Sequence, residues 1–171
     1  MKFLTAIFIS HMVLLWGVTA FAGPIKSCKI SFGTRGKPVL ISIEGNTTKP
    51  CTGSITLAGK TAKKADIKLP LASIDTGIPL RNRHLKENYL HVEKFPTARF
   101  TLESGGGGKF KGKLDMNGAV TKVAGTYTVT GKDIEAEFLI DLPDFNMKPP
   151  TFMGVTVVDK VRIQVEITVG G

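Results

Sequence analysis

The chain has 171 residues, with 23 Lys and Arg against 14 Asp and Glu, for a formal net charge of +9. No stretch after the first two dozen residues is apolar enough to cross a membrane as a helix. The lysines are spread singly or in pairs without interleaved aromatics, which excludes a groove for single-stranded nucleic acid.

In chain order, Lys2 is followed by an apolar run from Phe3 to Val18, and then by Ala20 and Ala22 as small residues. This is the pattern of a secretory signal peptide over residues 1–22, cleaved after Ala22. No cysteine sits at the cut, so a lipoprotein is not expected. The remaining 149 of the 171 residues, 23–171, form one domain, and loss of Lys2 lowers the net charge from +9 to +8. That charge suits an anionic surface such as a membrane's lipid headgroups or a polysaccharide, although spread lysines of this kind first of all make a solvated exterior.

Cys28 and Cys51 both fall in the mature chain. In an exported protein two cysteines usually pair, so they are read as a structural disulfide. Two free thiols or a redox pair are the alternatives, although there is no CxxC and no histidine lies close to either in sequence.

From Cys28 onward the apolar residues recur with period two. The runs include Val39, Ile41, Ile43; Ile67, Leu69, Leu71; Phe100, Leu102; Phe110, Leu114, Met116; Val123, Tyr127, Val129; Ile134, Ala136, Phe138, Ile140; and Val161 to Val169. The spacing predicts eight or nine antiparallel strands, each with one dry face and one wet face. Turn signals stand between them at 33–38, Gly45-Asn46, Gly59-Lys60, 105–108, Asn117-Gly118 and Gly131-Lys132. One segment breaks the period: Leu85, Tyr89 and Val92 recur at helical spacing, and Pro96 blocks continuation. A short helix is expected over 78–92.

Closing such strands into a barrel removes exposed edges, whereas a sandwich keeps them. An eight-stranded barrel is either filled by side chains or holds one small ligand. The periodicity leaves both open. The segment 144–154 is loop-like and proline-broken, yet carries Phe145, Met147, Phe152 and Met153. Such a set either plugs one end of the barrel or makes an adaptable rim for a flexible apolar ligand.

No catalytic constellation is expected. There is no GxSxG elbow, and neither cysteine has a base partner in sequence. His84 and His91 lie seven apart, which is not a zinc spacing. No metal and no cofactor are expected.

The run LPLASIDTGIPLRNRHLKENYLHVEKFPTARFTLES, followed by GKLDMNGAVTKV and by DKVRIQVEITV, resembles the YceI-like family over residues 28 to 169. The resemblance implies an all-β, eight-stranded, lipocalin-like barrel in the periplasm. It further implies a non-catalytic carrier for an amphipathic isoprenoid lipid of quinone or polyprenyl type, acting as a monomer or homodimer. On that reading Arg81, Asn82 and His84 form a polar cluster at the barrel mouth. Leu85, Phe95, Phe100, Phe110, Met116, Tyr127 and Phe138 join Phe145, Met147, Phe152 and Met153 around the ligand. Asn82 stands where the family usually has aspartate, and Asn117 where it usually has histidine. The alternative is a ligand-free envelope stress or interaction module acting through its basic surface.

Overall fold

The computed structural model of the chain describes residues 20–38, 41–152 and 154–170, with Phe152 described by its backbone alone. Residues 1–19 of the expected signal peptide, and Met153, lie outside the described residues.

The elements are β1 (Ala20–Lys37), β2 (Ile41–Thr47), β3 (Thr52–Ala58), β4 (Thr61–Pro70), β5 (Ile74–Asp75) and α1 (Pro79–His84). Then come β6 (Thr97–Gly106), β7 (Lys109–Met116), β8 (Ala119–Thr130), β9 (Asp133–Asp141), β10 (Thr151–Phe152), β11 (Val155–Val157) and β12 (Lys160–Val169). Single 3-10 turns cover Leu71–Ser73 and Leu142–Phe145.

The strands form because alternate side chains are apolar. In β7 every second residue from Phe110 to Met116 is buried, and Lys109, Lys111, Lys113 and Asp115 between them are exposed. Antiparallel pairing runs β1–β12–β9–β8–β7–β6–β4–β3. The barrel closes where Ala20–Pro24 at the start of β1 pair with Ser54–Ala58 of β3. This is the expected eight-stranded antiparallel barrel.

Strand β1 has two partners in succession. Its first residues pair with β3, whereas Ser31–Gly36 pair with Ile41–Asn46 of β2. The Cys28–Cys51 disulfide lies at this changeover, with the two Cα atoms 5.4 Å apart and Cys51 buried. It joins β1 to the break between β2 and β3, where no backbone ladder spans the gap. From there β2 leaves the closed wall and pairs with β5, which leads into α1.

Three expectations are corrected. The segment 33–38 is not a turn: Gly33 to Lys37 continue β1. Gly45 is not a turn residue either, because a Cβ there would sit 2.3 Å from the Phe32 ring and 2.6 Å from the Asp75 oxygen. It lets three strands approach closely. The helix is shorter than 78–92. Its α-helical part ends at His84 and passes into a π-helical turn over Leu85–Tyr89, closed by Leu90 N–H donating to Leu85 O. His91, at φ 46°, then ends the helical path.

Candidate functional site

The barrel is hollow. A cavity of about 530 Å³ runs inside it, within the usual range for small-ligand sites. Inward residues in the middle of the strands, among them Ile67, Phe100, Phe138 and Ile163, are only half-buried, although they point away from bulk solvent. In a filled barrel these positions would be the most buried of all.

From the middle of the barrel away from α1, the wall carries contacting aromatic side chains. Phe110 meets Phe100 edge-on at 5.6 Å and Phe138 edge-on at 5.8 Å. Gly125 makes room for this stack, since a Cβ there would lie 2.8 Å from Phe110 and 2.7 Å from Phe138. Tyr127 Oη accepts a hydrogen bond from Ala62 N–H at 3.1 Å, which ties β8 to β4 across the barrel.

Apart from the two tyrosines, Tyr89 and Tyr127, the polar residues of the lining sit toward the α1 end: Thr34, Thr47, Thr76, Arg81, His84 and Thr151. Their geometry is built around Thr76, which is buried at the N-terminal approach to α1. Arg81 Nε donates to Thr76 Oγ1 at 2.9 Å, and Arg81 Nη2 donates to Thr76 O. Asn82 Oδ1 accepts from Thr76 N–H at 2.7 Å and from Thr76 Oγ1–H at 2.6 Å. Asn82 Nδ2 then donates to Asp75 Oδ1 at 2.6 Å, and Gly77 N–H donates to the same oxygen at 2.8 Å. The Gly77 N–H, and next the Asn82 amide, hold the Asp75 carboxyl below its usual range. The Thr47 hydroxyl, on β2 opposite Ile74, is buried without a hydrogen-bond partner.

Of the residues expected around a ligand, Arg81, His84, Leu85, Phe100, Phe110, Met116, Tyr127, Phe138 and Met147 line the cavity. Asn82, Phe95 and Phe145 do not. Asn82 braces the loop before α1, as described above. Phe95 lies against Gly118 with Lys94 Nζ 5.1 Å from its ring centre. Phe145 is completely buried in the 3-10 turn after β9 and acts as packing. The Phe152 side chain and Met153 lie outside the description. The segment 144–154 is not a plain loop, since it includes the end of the 3-10 turn and strand β10, which pairs with β11 just beyond it.

Sequence reasoning missed Thr76, Tyr89 and Asn117. Tyr89 lines the cavity, and its Oη accepts from Thr151 N–H at 3.2 Å. Asn117 sits at φ 52° in the β7–β8 turn and donates to the backbone oxygens of Tyr89 and Phe145 at 3.1 and 2.9 Å. In sequence it shows as an Asn-Gly turn signal and as a departure from the family's usual histidine, but nothing there shows that its side chain is buried and bridges two turns. Among the described residues no group of three or more His, Cys, Asp or Glu could hold a metal ion. No helix among them is long and apolar enough to cross a membrane.

A family model described as the YceI-like domain matches residues 26–169. No curated protein matches the chain in sequence. Among solved structures, Burkholderia cenocepacia BcnA superimposes with a TM-score of 0.64 at 20% identity, over 84% of this chain and 96% of that one. A polyisoprenoid-binding domain from Saccharophagus degradans gives a TM-score of 0.64 at 14% identity, over 86% and 98%. The Campylobacter jejuni YceI protein gives 0.57 at 21% identity, over 79% and 90%. These likenesses share the barrel.

Proposed function

The chain belongs to the YceI-like family, and on that premise we propose that it is a non-catalytic carrier for an amphipathic isoprenoid lipid of quinone or polyprenyl type. The observation that carries the reading is the hollow apolar interior, with most of its polar lining at the α1 end. An isoprenoid tail lies in the barrel and reaches toward Phe110 and Tyr127. Its polar head stays near Thr76, Arg81 and His84. The name of the Saccharophagus degradans domain, which binds polyisoprenoid, is in keeping with this cargo.

The binding energy comes from burial, at about 0.8 kcal/mol per methylene removed from water. The protein has no need of reactive groups for this task. We place it in the periplasm after cleavage following Ala22. The disulfide fits an oxidising compartment. Cleavage there would remove the rungs from Ala20, Phe21 and Ala22 to β3 and keep Gly23–Ile55 and Pro24–Ser54.

The test is titration with isoprenoid alcohols of increasing length. Affinity should rise by about fourfold per added methylene until the cavity is full, then level off. Affinity that does not depend on chain length would refute the reading.

A second reading, a ligand-free module acting through its exterior, is favoured by one observation. Lys109, Lys111 and Lys113 project outward from β7, and Lys113 faces Lys122 of β8. Such a stripe attracts anionic surfaces. Binding to anionic vesicles that disappears on charge reversal of these lysines, with no lipid taken up, would favour it.

A further inference from the structure

We propose that the α1 end of the barrel docks on an anionic lipid bilayer, so that the ligand passes between membrane and cavity without crossing water. The inference rests on the carrier reading above.

Five large apolar side chains are exposed among the described residues; Val120 and Leu139 lie on the outward faces of β8 and β9, whereas Ile41 (40%), Ile78 (42%) and Leu80 (42%) line or adjoin the opening at the α1 end. Isolated exposed apolar residues are ordinary on any protein surface. These three differ because Ile41 and Ile78 also line the cavity. The apolar lining therefore continues over the rim to the outside. Leu80, on the first turn of α1, is not part of the lining and has no packing role inside the barrel. An apolar rim around an apolar opening is the surface a bilayer interface would cover.

The charges at this rim agree with an anionic partner. Arg83 is exposed three residues after Leu80, and so lies on the same side of the helix. Lys37 is exposed at the end of β1, beside Gly36, which pairs with Ile41. Lys148 is exposed on the loop that leads to β10. Among the described residues none of these three makes an ion pair. Acids stand at the same end, among them Glu44, Asp75, Glu87, Glu93, Asp144 and Asp159, so the attraction comes from the basic residues beside the apolar rim and not from a charge excess over the whole end. Each basic residue near an anionic surface strengthens attachment about fivefold.

The cargo supplies the need. Each methylene lowers the concentration of an isoprenoid in water by about fourfold, so escape from a bilayer through water becomes very slow for a long chain. Contact between rim and membrane removes that step.

The experiment follows a fluorescent geranylgeraniol analogue passing from loaded protein to vesicles of phosphatidylcholine, with or without phosphatidylglycerol. The expected rate rises with vesicle concentration, is at least about fivefold faster with phosphatidylglycerol, and falls with added salt. Leu80→Asp should slow transfer at least about fivefold, while its equilibrium binding of the probe in vesicle-free buffer stays that of the wild type. A rate independent of vesicle concentration, or a Leu80→Asp variant that transfers like the wild type, overturns the proposal. Slowing by Lys109→Glu/Lys111→Glu instead would place the contact on the β7 face and also overturns it. So would a Leu80→Asp variant that dissociates a dimer of the chain without changing transfer. If the wild type binds no probe in buffer, the carrier reading itself fails, and docking as a loading route fails with it.

Discussion

The Nδ2 of Asn117 donates to the backbone oxygen of Phe145 at 2.9 Å, and the same amide reaches the oxygen of Tyr89 at 3.1 Å. One buried side chain in the β7–β8 turn thus holds the π-helical turn after α1 and the 3-10 turn after β9 together at one end of the barrel. Asn117→Ala leaves two backbone oxygens without this donor and keeps a left-handed backbone at residue 117. The expected loss is about 2–4 kcal/mol of unfolding free energy, measured by urea denaturation. Asn117→Gly should recover only the part due to backbone strain.

Asn82 is matched to Asp75. An aspartate at 82 could still accept from Thr76, but it would set a second carboxylate where the amide now donates to Asp75 Oδ1. In Asn82→Asp one of the two carboxyls therefore has a raised folded-state pKa. A raised value gives stability that is fully present below the unfolded value and is lost as pH rises through the folded one. The variant should match the wild type near pH 3 and melt below it at pH 7. Equal melting temperatures across that range would show that residue 82 does not face Asp75.

The disulfide closes a loop with a sequence separation of 23 at the changeover of β1 partners. The loop-entropy estimate is about 3 kcal/mol. Cys28→Ser/Cys51→Ser should lower the unfolding free energy by that amount, read as a lower midpoint in urea. Wild-type protein treated with reductant should shift with it.

Ala136 on β9 lines the cavity between its ladder partners Tyr127 and Val165. Because the space in front of it is open, Ala136→Trp should fill the cavity and lower isoprenoid affinity by at least about tenfold. Circular dichroism should report an intact barrel. Unchanged affinity in a folded variant would mean that the ligand does not sit in this space.

Much of the barrel was legible because a half-buried strand writes its two faces into alternate residues. The run from Val161 to Val169 and the lysines of β7 needed nothing else. Gly45 was misread, since a glycine required by the nearby Phe32 ring looks like a turn glycine in sequence. The helix was overextended because Val92 keeps helical spacing, although the chain has already turned at His91. In the site, the aromatic lining followed from the period. Thr76 did not, because a buried threonine that receives Arg81 and Asn82 carries no local pattern. Phe145 and Met147, two residues apart, separate only in three dimensions, one into packing and one onto the cavity wall.

The most direct test of the account is native mass spectrometry of the protein purified from the cells that make it, followed by organic extraction. The account predicts a mass excess that extracts as a single isoprenoid lipid and that is absent from Ala136→Trp. A bare polypeptide mass, with no uptake when quinones and polyprenols are offered, would contradict it.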